Sequence, residues 1–222
     1  MQELINLPIR HLHKSSLLSP EALALVETLS ISRHGVQRAR IEPGDVVLVV
    51  GMGPIGLGAA LFAHLAGARV LAMDISGARL AFAGQQPGID CCIDARLDIL
   101  DQLRAASGDH LPTVILDATG NAASMMKSFD YAAYGARIVF LGLVQGEIAF
   151  SSPNFHRREL TLLASRNARA DDFTQIISLL EQGKMSVTHW ITHAVSESQM
   201  LVEFPSWLNV QNGVIKAMLH FE

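Results

Sequence analysis

The sequence predicts an α/β chain built on a doubly wound parallel sheet, and three observations carry that expectation. Short β-branched runs alternate with amphipathic segments through the middle of the chain, the pattern of repeated βαβ units. The runs are apolar throughout, which suits strands covered by helices on both faces of a sheet. Glycine and proline punctuate the change from strand to helix, first in VVLVVGMGPIGLG at residues 46 to 58.

The first strand is VVLVV, and Pro54 opens the helix that follows its glycine turn. RVLAMD (69 to 74) is the second strand, with GARLAFAGQ as its helix. A weaker strand, GIDCCID, precedes the helical ARLDILDQLRAAS. TVILDATG (113 to 120) leads into NAASMMKSFDYAAY, a helix capped by Asn121 and ended by Gly135, and ARIVFLGL (136 to 143) closes the alternation. Residues 1 to 27 add a candidate strand, ELINLPI, and a helix start at Ser19-Pro20-Glu21. From about 171 onward come a helix (DDFTQIISLLEQGK), a short strand (ITHAV), another helix and a terminal strand, VIKAMLHF.

At 222 residues, half of them hydrophobic, the chain is long enough to bury a substantial core. Its net charge of -4, with no long basic run, leaves no electrostatic footprint for nucleic acid, so the expected partner is a small molecule. Cys91 and Cys92 are the only cysteines, which excludes a disulfide framework and spaced thiolate zinc sites. No apolar run near Met1 suits a secretory signal, and the expected location is cytoplasmic. Residues 46 to 68 lack Asp, Glu, Lys and Arg and have the hydropathy of a membrane span. Five glycines and Pro54 interrupt them, so a strand, a turn and a buried helix are expected there and no membrane.

Gly51, Gly53 and Gly56 form a GxGxxG directly after a strand and at the opening of a helix, the context that gives the motif meaning. The first glycine permits the tight turn. The second lets a pyrophosphate approach the backbone, and the third lets helix and strand pack closely. Asp74 closes the second strand about twenty residues further on, where a carboxylate accepts the ribose hydroxyls of NAD and repels the 2′-phosphate of NADP. The competing reading of Asp74 is a helix cap for the segment starting near Gly77. A methyltransferase also carries a glycine turn and an acidic strand end, although Pro54 and the third glycine suit a dinucleotide better.

Taken with DATGN, LTLLASRNA, the run from ALVETLS to the glycine turn, and ITHAV…GVIKAMLHF, the chain resembles the zinc-type alcohol dehydrogenase family of medium-chain dehydrogenases, in its sorbitol, threonine and galactonate dehydrogenase-like branch. The resemblance covers essentially the whole chain. It implies a Rossmann coenzyme domain over 28–170, with 1–27 and 171–222 as parts of a catalytic domain whose zinc-binding N-terminal portion has no counterpart here.

For coenzyme, the resemblance implies contacts from Gly51, Gly53, Pro54, Ile55, Gly56, Asp74, Arg79, Thr119 and Gly120. Leu141, Gly142 and Leu143 match the segment beside the nicotinamide, Ser165, Arg166 and Asn167 the edge of the substrate site, and Lys216 a pyrophosphate contact. Glu27 matches the family's glutamate near the catalytic metal, although Thr28 stands where the family usually has proline, and one carboxylate cannot hold a tetrahedral zinc. The expectation is an NAD-dependent dehydrogenase of a polyol or sugar acid, a homodimer or higher oligomer, with zinc not held by this chain alone. A non-enzymatic NAD(H)-binding module is the alternative.

Overall fold

The computed structural model describes residues 4–209 and 212–221. Among the described residues, eight strands and eight α-helices follow in chain order: α1 (Pro20–Ala39), β1 (Val46–Val50), α2 (Pro54–Leu65), β2 (Arg69–Asp74), α3 (Gly77–Ala83), β3 (Cys91–Asp94), α4 (Ile99–Ser107), β4 (Val114–Asp117), α5 (Ala122–Lys127), β5 (Arg137–Phe140), α6 (Ser152–Arg157), β6 (Thr161–Ala164), α7 (Ala170–Glu181), β7 (Ile191–Ser196), α8 (Glu197–Trp207) and β8 (Lys216–His220). They divide between two compact units, residues 31–167 and residues 1–30 with 168–222.

The unit 31–167 is a six-stranded sheet in the order β3-β2-β1-β4-β5-β6, with every pairing parallel. The expected doubly wound α/β fold is therefore present, and the order reverses between β1 and β4, where such sheets open a crevice at their carboxyl ends. The central strands β1 and β4 are almost wholly buried because both sides are covered. Leu48, Val50, Leu71, Met73, Ile115 and Ile138 enter one core together with Leu103 and Phe129. The region expected to mimic a membrane span divides into β1, the glycine turn and α2, whose Leu57, Ala59, Ala60, Phe62 and Ala63 are all buried. Among the described residues, no helix is long and apolar enough to cross a membrane.

A polar clamp closes the end of the sheet away from that crevice. Arg137 donates both ways to the Asp45 carboxylate, at 2.7 and 2.6 Å, and reaches the carbonyls of Ala39 and Arg40 at the end of α1. Burial pushes the Asp45 carboxyl upward, but the Glu42 N–H, the Thr113 hydroxyl and the Arg137 guanidinium outweigh it and hold it below the ordinary carboxylate value. The loop after α1 is thereby fastened to β5.

The other unit contains the parallel pair β7–β8, with α7 and α8. Ser19 caps α1 as expected, its hydroxyl accepting from the Ala22 N–H at 3.3 Å. ELINLPI is not a strand. Its Glu3 lies outside the described residues, residues 4–8 have no regular structure, and Ile9–His11 form a 3-10 turn. Pro8 supplies no N–H for a ladder, and no strand among the described residues pairs with the segment.

Two further differences mark the limits of periodicity. The helix expected to run to Tyr134 ends as α5 at Lys127, tightening into a 3-10 turn over Ser128–Asp130. That turn buries Phe129 and brings Tyr131 and Ala132 into the core, a tertiary demand that overrides the local helical pattern. The alternation also omitted β6, an edge strand with three of its four residues exposed.

Candidate functional site

The glycine turn is held from three sides. Gly51 adopts φ 92°, a conformation costly for any other residue, and its N–H donates to the Met73 carbonyl at 2.7 Å. A Cβ on Gly56 would lie 1.7 Å from the Gly51 carbonyl oxygen, so the first turn of α2 presses directly on the end of β1. Gly53, the residue before α2, has open space where its Cβ would project. The close and the open approaches fall where the motif requires them.

Asp74 ends β2 with only 7% of its surface exposed. Its Oδ2 accepts the Met52 N–H at 2.6 Å, and its Oδ1 accepts the Ser76 N–H at 2.8 Å. The cap of α3 is Ser76, whose hydroxyl accepts from the Arg79 N–H, so the cap reading of Asp74 is set aside. The carboxylate pins the glycine turn to the second strand. Each carboxylate oxygen retains further acceptor capacity for a ligand.

A cleft of about 440 Å³ opens beside these groups, and Gly51, Gly53, Asp74, Arg79 and Thr119 all line it. Ile75, Ala95 and Ile99 form an apolar wall. The opposite wall belongs to α5 and the turn after it, through Asn121, Ser124, Lys127 and Tyr131, none of which was expected at a site. Their only signal in the sequence is position, directly after the fourth strand where a wound sheet opens its crevice.

Behind that wall lies Asp117, the last residue of β4 and fully buried. Its Oδ1 accepts the Thr119 N–H at 2.9 Å and the Thr119 hydroxyl at 2.6 Å. Its Oδ2 accepts the hydroxyls of Ser124 at 2.8 Å and Ser128 at 3.2 Å. The carboxylate is satisfied wholly within the protein. It fixes the loop that carries Thr119 and the helix that carries Ser124.

The remaining expected residues do not line the cleft. Pro54, Ile55 and Gly56 form the first turn of α2, whose early N–H groups have no partner within the helix. Gly120, at φ 61°, lies so close to Gly142 that a Cβ on Gly142 would stand 2.3 Å from the Gly120 nitrogen. The loops after β4 and β5 thus meet backbone to backbone. Leu141 is buried, with its side chain filling the space above Gly35, whereas Leu143 is 82% exposed. Ser165, with a buried Oγ that has no hydrogen-bond partner among the described residues, precedes Arg166 and Asn167 just beyond β6. Glu27, exposed on α1, and Lys216, in β8, belong to the other unit.

Among the described residues no group of three His, Cys, Asp or Glu side chains could hold a metal ion. Burial, with Cys91 beside it, pushes the Cys92 thiol up, away from the thiolate that a metal takes. The donor set in these residues does not fit zinc. The glycine cradle, the strand-end carboxylate and the cleft, by contrast, fit a dinucleotide.

Residues 54–182, more than half of the chain, match the family model described as zinc-binding dehydrogenase. The chain belongs to this family. It is 39% identical over 191 residues to the L-galactonate-5-dehydrogenase of Escherichia coli (strain K12), a match covering 86% of this chain and 56% of that protein. It is 29% identical over 228 residues to the L-arabinitol 4-dehydrogenase of Hypocrea jecorina, covering 99% of this chain and 59% of the relative. The chain therefore spans less than two thirds of the length of these zinc-binding dehydrogenases. In fold it superimposes on a short chain alcohol dehydrogenase of E. coli CFT073 complexed with cofactor NADH, with a TM-score of 0.82 at 23% identity, over 91% of this chain and 60% of that one.

Proposed function

We propose that the cleft holds the adenosine and pyrophosphate of NAD(H), and that the chain serves the coenzyme side of an NAD-dependent dehydrogenation of a polyol or sugar acid. One observation carries the reading: the glycine turn and the nearly buried Asp74 carboxylate are bonded to each other at the mouth of a crevice of nucleotide size. The names of the two relatives, one acting on a sugar acid and one on a polyol, support the substrate class. Bound NAD supplies the hydride acceptor.

This chain's own residues bind and orient. The first turn of α2 directs its N–H groups and the positive end of the helix toward the pyrophosphate, and Gly53 admits it to the backbone. Asp74 accepts the ribose hydroxyls while its Met52 bond keeps the turn in register. Leu141 to Leu143 pass the nicotinamide and Ser165 to Asn167 border the substrate, and the family pattern gives Lys216 the role of a pyrophosphate contact. Residues 28–170 are the coenzyme domain in this reading, and 1–27 and 171–222 belong to the substrate domain with Glu27. The open edge at β6, with Thr161 and Leu162 exposed, supports pairing with a second copy in a cytoplasmic homodimer.

Asp74→Ala tests the reading. Loss of a charge-assisted hydrogen bond corresponds to about 1.5 to 3 kcal/mol, so NADH affinity should fall by roughly tenfold to a hundredfold. NADPH should lose less or gain, since the repulsion of its 2′-phosphate is removed. Fluorescence titration with both coenzymes measures this, and an unchanged ratio of the two affinities would contradict the assignment.

A further inference from the structure

The hydrogen-bond inventory of Asp117 specifies which way the hydroxyls of the α5 wall point. The Ser124 hydroxyl donates inward to the Asp117 Oδ2 at 2.8 Å. Its one proton is then committed to Asp117. No hydrogen bond to the Ser124 oxygen from another described residue is formed, and Ser124 lines the cleft, so that oxygen presents acceptor capacity alone to a ligand. Thr119 is fixed in the same way, but its hydroxyl oxygen already accepts the Asn121 N–H at 3.1 Å and keeps one lone pair where Ser124 keeps two. Ser124 is the hydroxyl of this wall with the most acceptor capacity left for a donor.

The base end of the ligand meets this wall. Asp74 marks the adenosine ribose, and the cleft continues past it between the apolar Ile75, Ala95 and Ile99 on one side and α5 on the other. Resting on the coenzyme reading above, we propose that Asp117 is a positioning residue that makes Ser124 an acceptor-only contact, so that the cleft selects a 6-aminopurine dinucleotide over its 6-oxopurine counterpart. The adenine amino group donates to Ser124. A carbonyl in its place sets two acceptors against each other, and a polar site facing the wrong partner rejects it more strongly than a merely ill-fitting apolar one.

Replacing Asp117 by Asn gives a readout that a purely structural role would not move. The Thr119 N–H cannot turn round, so the amide oxygen must stay on that side and the amide nitrogen must face Ser124 and Ser128. The amide then donates to Ser124, whose own proton is released toward the cleft. Ser124 changes from acceptor to donor, and the base preference should reverse.

The test is fluorescence titration of the protein with NADH and with reduced nicotinamide hypoxanthine dinucleotide. The unaltered protein should bind NADH at least about tenfold more tightly, corresponding to one hydrogen bond gained or lost. Ser124→Ala, at a partly exposed position and without a buried charge, should bring the ratio within about threefold, and Asp117→Asn should favour the hypoxanthine dinucleotide. Equal binding of the two dinucleotides by the unaltered protein, or a ratio that Ser124→Ala leaves in place, overturns the proposal while the coenzyme reading stands. Binding of neither dinucleotide overturns both. Should Asp117→Asn fail to fold, the Ser124→Ala ratio decides alone.

Discussion

Gly56→Ala is expected to abolish NADH binding and to destabilise the fold by about 2 kcal/mol or more. An added methyl would stand 1.7 Å from the Gly51 carbonyl oxygen, which is backbone and cannot swing aside as a side chain could. The first turn of α2 would have to move off the strand end, taking with it a helix buried through Leu57, Ala59, Ala60, Phe62 and Ala63. Alanine's better helix propensity returns only about 1 kcal/mol, against an overpacking cost of about 1 to 3 kcal/mol and the loss of α2 packing. Gly53→Ala is the matched control. Nothing lies within 4 Å of its Cβ position and its φ of -78° suits alanine, so it should keep its stability and lose coenzyme affinity alone. Thermal unfolding and NADH titration of the pair separate the two effects; equal stability of both variants would mean that the helix does not press on the turn.

Asp117→Ala is expected to cost about 3 kcal/mol or more. The side chain is fully buried and accepts from the Thr119 N–H and from three hydroxyls. Ser128 has a second partner in the Ser124 carbonyl at 3.3 Å, and the hydroxyls can rotate in search of others. The Thr119 N–H cannot, and losing a hydrogen bond to a charged group costs about 1.5 to 3 kcal/mol, with a cavity term added for the fully buried Asp117 side chain. Urea unfolding measures the difference. A value within about 0.5 kcal/mol of the unaltered protein, the range of an ordinary surface substitution, would mean that the carboxylate does not organise this wall.

The sequence shows its central strands plainly because they are short, β-branched and bounded by glycine. The turn from Gly51 to Gly56 and Asp74 are legible for the same reason: a strand end, a helix start and a carboxylate at a set distance define a local geometry. Thr161–Ala164 is a short edge strand that buries little, and its apolar run of Leu162, Leu163 and Ala164 is not bounded by the glycine that marks the central strands. ELINLPI carried the opposite error, since alternation alone does not make a strand without a neighbouring ladder. The α5 wall was illegible for a further reason. Which way a serine points its proton depends on Asp117, and why residue 142 must be glycine depends on the backbone of Gly120, both settled only when β4 and β5 stand side by side. Lys127, likewise, is an ordinary last-turn lysine until the cleft beside it is formed.

The central claim is that this cleft is a dinucleotide site, and the most direct measurement is a titration of the protein with NADH, followed by energy transfer to bound coenzyme and by competition with ADP-ribose and with S-adenosylmethionine. Saturable binding in the micromolar range, displaced by ADP-ribose and indifferent to S-adenosylmethionine, is the expected result. Saturable binding of S-adenosylmethionine with none of NADH would contradict the account and reassign the glycine turn to methyl transfer.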